Sequence, residues 1–191
     1  MLELLIDLFW LDVVFIVAGI TAVFVSMKKH RVPAMTPLDD RSVDGGPPVP
    51  LNRFEAELQE LGFEYCGDYD FGVMSSIKLI LQGYLSQDRR HAVVIAHLET
   101  EYESFAMIEF STDLTPFGSI STNNYRMWET FRYPMHKVLA NVPWNRSARE
   151  VYDLHVSLCE IAGANGYAAK PIEPARFAEE IRSDTRRDLE W

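Results

Sequence analysis

Residues Leu8 to Met27 read LFWLDVVFIVAGITAVFVSM, an apolar run broken by one charge, Asp12, and followed at once by Lys28, Lys29, His30 and Arg31. At about 1.5 Å of rise per residue, a helix of this length measures about 30 Å, the thickness of a bilayer's hydrocarbon layer. A helix that is apolar all round has to be enclosed, and a membrane encloses it. An N-terminal transmembrane anchor, residues 1–31, is therefore the first expectation. A cleaved export signal fits poorly: the residues before the run, Glu3 and Asp7, are acidic, and no small-x-small site precedes Lys28. Cations are retained on the cytoplasmic side of a first membrane segment, and here Lys28, Lys29 and Arg31 all follow it. They set the topology as single-pass in the cell (inner) membrane, N-terminus outside and C-terminal domain cytoplasmic. Three cations fall short of the roughly four to eight that a polybasic lipid-recognition patch needs.

Residues 32–50, VPAMTPLDDRSVDGGPPVP, hold five of the ten prolines and no hydrophobic period, so they read as a stiffened linker. The soluble domain is then residues 51–191, roughly 140 residues, enough to bury a core without disulfides or metal. Cys66 and Cys159 are far apart and neither belongs to a C-x-x-C pair, which leaves both as small core residues. The net charge of -10 falls on the part after the anchor, residues 32–191, because Glu3, Asp7 and Asp12 balance Lys28, Lys29 and Arg31. A surface of that sign repels phosphate backbones and excludes nucleic acid as the expected partner.

The domain opens with a helix pattern: Asn52 as cap, Glu55 three residues on, Phe54, Leu58 and Leu61 on one face, and Gly62 as exit. Four strand-like runs follow at 63–71, 76–85, 91–99 and 104–112, separated by short polar stretches such as SQDRR and TEYE. Separators this short favour hairpins, since a parallel connection takes a dozen or more residues. Further strands are expected at 118–124 and 136–142. Ser147 and Glu150 form a capping box before the apolar stripe Val151, Leu154, Leu158 and Ile161, and Pro174 marks a last helix with Phe177 and Ile181 facing inward. The fold class expected is α+β: an antiparallel β-meander of about 5–6 strands with helices packed on one face.

Chemistry is harder to find. Phosphate-loop, dinucleotide, nucleophile-elbow and H-E-x-x-H patterns do not occur. His91 and His97 share a strand face, but six residues at strand rise separate them by roughly 20 Å, too far for one ion. No metal ligand set and no cofactor is therefore expected. His155 lies one position past Leu154, at the edge of the helix stripe, and reads as a boundary histidine. Asp68 and Asp70 on one strand face read as solvated carboxylates.

The most unusual stretch is STNNYRMWETFRYP, 121–134. It offers a recognition loop, with Tyr125, Trp128, Phe131 and Tyr133 as anchors and Arg126 and Arg132 as polar clamps, since aromatic and arginine side chains dominate interface hot spots. Asn123 and Asn124 are read as turn formers. The function expected is a membrane-anchored cytoplasmic domain that binds a protein partner as an accessory or scaffold component. The alternative is a small-ligand or lipid-binding domain, and a third reading is a hydrolase using His136 or His155.

Overall fold

The computed structural model describes residues 36–37, 49–70, 77–100, 104–116, 118–125 and 137–189. The proposed anchor and its topology residues Lys28, Lys29 and Arg31 lie outside them, as do Arg126, Trp128, Phe131, Arg132, Tyr133 and His136. Among the described residues no helix is long and apolar enough to cross a membrane.

Strands β2 (Phe63–Asp70), β3 (Ile77–Ser86), β4 (Ala92–Thr100), β5 (Ser104–Thr115) and β6 (Ser119–Asn123) lie side by side in chain order, each antiparallel to the next. Their limits fall within a few residues of those expected from the alternation of side chains. A two-residue strand β1, Thr36–Pro37, pairs with β2 from within the proline-rich segment. The last strand of the path, β7 (Lys137–Asn141), departs from the expected meander by running parallel to β6. The reason is length: thirteen residues, 124–136, separate the two strands, room enough for a crossover where a hairpin needs only a few. A short β8, Ala168–Ala169, pairs with the end of β5.

Helix α1 (Val49–Glu60) begins three residues earlier than Asn52, so that residue lies in its first turn and does not cap it. Pro50 suits this start, because a missing N–H is no loss in the first turn. The exit is the one expected, with Gly62 at φ +81 and its N–H donating to the Gln59 carbonyl. Helix α2 (Ala148–Ala164) carries the complete capping box: the Ser147 hydroxyl accepts from the Glu150 N–H, and the Glu150 carboxylate accepts from the Ser147 N–H at 2.9 Å. Helix α3 (Phe177–Leu189) follows a 3-10 turn at Pro174–Arg176.

The sheet buries both faces. Registers such as Tyr84↔Val93 and Val93↔Phe110 place these residues on one face, where α1 and α2 cover them with Phe54, Leu58 and Val151. Leu85↔Ala92 and Leu81↔Ala96 belong to the other face, covered by Phe177 of α3. A bulge between Tyr65 and Gly67 switches β2 from the first face to the second, so Tyr65 meets Tyr84 while Tyr69 stacks on Phe177. Helices on one face was therefore too few: strands apolar on both sides leave a second surface that has to be covered. Phe177 approaches the backbone of β3 so closely that a Cβ on Gly83 would lie 2.3 Å from its ring. Glycine is the residue that fits there.

Candidate functional site

Five side chains, from the β3–β4 connection, two strands and one helix, meet at α2. His91 stands just before β4, Thr112 on β5, Thr122 on β6, and His155 and Cys159 one turn apart on α2. The registers Ala92↔Ser111 and Phe110↔Thr122 bring the strand residues to the α2 side of the sheet. His91 Nδ1 and Thr112 Oγ1 are 2.8 Å apart, Thr112 Oγ1 and His155 Nε2 2.8 Å, and His155 Nδ1 and Thr122 Oγ1 3.1 Å. Cys159 Sγ lies 3.7 Å from His155 Nε2. Aromatic rings wall the cluster: Phe110 lies against His155, and Tyr152 meets His91 edge to face.

The hydrogen bonds form one chain that runs in either of two senses. If the His91 Nδ1–H donates to Thr112, the Thr112 hydroxyl donates to His155 Nε2 and His155 Nδ1–H donates to Thr122. In the opposite sense every donor and acceptor exchanges roles, because each hydroxyl carries one hydrogen and a neutral imidazole carries one N–H. Both senses satisfy His155 without a charge. Its burial, with the neighbouring His91 adding a smaller push, lowers its pKa to about 3. His91 is lowered too, chiefly by burial, with Asp88 pulling the other way. The Cys159 thiol is raised by burial against a hydrogen bond from Thr112. Thiolate and imidazolium are thus both disfavoured, and an ion-paired cysteine nucleophile is not what this arrangement prepares.

His155 is 0% exposed. It is the centre of the helix face and not its boundary. The inward stripe of α2 is Ala148, Val151 and His155, rotated by one residue from the apolar stripe expected. The displaced residues explain a second feature. Leu158 and Ile161, with Ile120, Val138, Leu114 and Tyr167, line an apolar groove of about 410 Å³ between the C-terminal half of α2 and the β6–β7 edge. Ile161 is 61% and Val138 51% exposed there, well beyond what a core stripe would leave to water.

The other residues singled out from sequence fall as follows. His97 is buried and pairs with Ser104 at 2.7 Å, on the sheet face it shares with His91 but apart from the cluster. Asn123 and Asn124 are buried braces, not turn formers: Asn124 Oδ1 accepts from the Ile108 N–H at 2.8 Å, and Asn123 Oδ1 accepts from Asn141 Nδ2 at 2.8 Å. Of the proposed recognition residues, Tyr125 is described. It is half-buried, donates its hydroxyl to Glu109, and has its carbonyl held by Asn141 Nδ2 at 3.3 Å. The Thr112–His155–Thr122 chain was missed because its members lie far apart in sequence. The one local signal was the four-residue spacing of His155 and Cys159, which places both on one helix face. No protein-family model matches this chain, and comparison with curated proteins and with solved structures finds none similar to it, so its function rests on the site alone.

Proposed function

We propose that this chain is a membrane-tethered accessory domain that captures an extended segment of a partner protein along β7 and the adjoining groove. The supporting observation is the continuity of two features: an apolar groove with Val138 and Ile161 more than half exposed, and β7, which ends the strand path among the described residues. A terminal strand offers backbone donors and acceptors to an added strand, and a neighbouring groove takes alternate side chains of that strand. The parallel pairing of β6 and β7 also ties the aromatic segment to this edge. Tyr125 leaves at the Asn123 end and Lys137 enters beside Ser119, roughly 13 Å away at strand rise. In the chain, the stretch carrying Arg126, Trp128, Phe131, Arg132 and Tyr133 lies between the end of β6 and the start of β7. The tether itself rests on the apolar run 8–27 and the cations after it.

A photo-crosslinking residue placed at 138 or 161 of the full chain in its native membrane is expected to trap a protein adduct. One at Arg149, on the exposed side of α2, is not. With the crosslinker at 138, Ile161→Asp should reduce the adduct about tenfold, and with it at 161, Val138→Asp should do the same, the scale of losing one hot-spot contact, without changing the fold. Equal yields at all three positions would remove the groove as the contact. A second reading, a small apolar ligand or lipid, is favoured by the groove's volume, which lies within the usual range for ligand sites of about 300–1,000 Å³. Thermal stabilisation by an extracted lipid, absent in the chain carrying both Val138→Asp and Ile161→Asp, would select it.

A further inference from the structure

We propose that His91, His155 and Cys159 form a site for a borderline or soft transition-metal cation of the zinc class. The inference is independent of partner docking. Three ligands suited to such an ion, two imidazoles and a thiol, present one ligand atom each within 4.8 Å of one another. Two of them, His155 and Cys159, sit four residues apart on α2, so a single helix turn aims both at the same point.

The distances suit the ion. Bonds of about 2.0–2.3 Å in tetrahedral geometry set nitrogen and sulfur roughly 3.6 Å apart. His155 Nε2 and Cys159 Sγ already stand at 3.7 Å. His91 is half-buried and offers a ring nitrogen within 4.8 Å of the other two ligand atoms, so a turn of its ring has to bring it to bonding distance. The Thr112 hydroxyl, 2.8 Å from a nitrogen of each imidazole, has to withdraw by roughly 0.5 Å for it or a water to serve as a fourth, oxygen ligand in tetrahedral geometry.

The outer partners favour the same assignment. A metal-bound imidazole keeps its other nitrogen protonated and hands that hydrogen to an acceptor. His155 has such an acceptor in Thr122 Oγ1, 3.1 Å from Nδ1, which leaves Nε2 directed at Cys159 and Thr112. On binding, the Cys159 thiol releases its proton to solvent and sulfur coordinates as thiolate, while both imidazoles stay neutral. The Thr112 hydroxyl gives up its bonds to the ring nitrogens as these turn to the ion.

The test is a cobalt(II) titration of the tag-free full chain in detergent, reduced and stripped with chelator beforehand. One equivalent should produce the thiolate-to-cobalt charge-transfer band in the near ultraviolet, and zinc should displace it. Cys159→Ser should abolish the band while Cys66→Ser keeps it. His91→Gln should weaken binding at least tenfold, and Thr122→Val about 10–100-fold, the range for loss of an outer-shell partner. Circular dichroism confirms the fold of each variant. Absence of a thiolate band in the folded chain, a band that needs Cys66 in place of Cys159, or full affinity in His91→Gln would overturn the site.

Discussion

Phe177→Ala should lower the stability of the chain by about 3–5 kcal/mol, the range for emptying a large buried aromatic site. Phe177 is 1% exposed and packs among Tyr69, Leu81, Leu85, Ala92 and Ala96, so its removal leaves a cavity on a sheet face that has few other covers among the described residues. The same contact predicts the effect of the opposite change. Gly83→Ala drives a methyl into the Phe177 ring and should cost about 1–3 kcal/mol, typical of overpacking. The two substitutions should not add. In Gly83→Ala with Phe177→Ala the new methyl occupies part of the vacated space, so the double variant should fall short of the sum by more than about 0.5 kcal/mol in chemical unfolding. Additivity within that margin would mean that Phe177 does not rest on β3.

The second large effect is an acid one. His155 has its folded pKa lowered from 6.5 to about 3 by burial, so the unfolded chain binds a proton there that the folded chain refuses. Stability from this group is complete above about 6.5 and is lost as pH falls from there towards 3, at about 1.4 kcal/mol per pH unit. His91, lowered in the same direction, steepens the fall. Unfolding of chelator-treated protein at a series of pH values should show this slope, with uptake of at least one proton. The His155 ring resonances should stay fixed by NMR as the pH falls through 6.5, where a free imidazole takes up its proton. A His155 midpoint near 6 would show that the ring is wet and that the hydroxyl pair does not hold it neutral.

Much of the fold could be read from local pattern. The strands carry period-two alternation and short polar separators, and α2 announces itself with Ser147 and Glu150; both are decided by residues a few positions apart. The parallel β6–β7 pair was equally present in the length of its connection, yet it was read as part of a meander because strand patterns do not state direction. Cover on the second face needed a sum over all strands: Leu79 to Leu81 and Val93 to Ile95 are apolar on both sides, which one helix layer cannot satisfy. The cluster was least legible. A histidine one position off an apolar stripe looks like a boundary residue until Thr112 and Thr122 arrive from two strands to bond both its nitrogens. That meeting depends on strand register and on where α2 lies, quantities to which no single window of sequence is sensitive.

The crossover between β6 and β7 also orders events in time. Hairpins β2 to β5 close loops of a few residues, whereas β7 must wait for a thirteen-residue excursion to be restrained, at a higher entropic cost and for only five paired residues. Helix α2, which seals His155 over Thr112 and Thr122, follows β7 in the chain. The proposed docking edge and the polar cluster beneath α2 should therefore be completed late, on a platform of hairpins already formed. Pulse-labelled refolding should find amides of β3 and β4 protected before those of β7, and simultaneous protection would mean that the nucleus already includes the crossover.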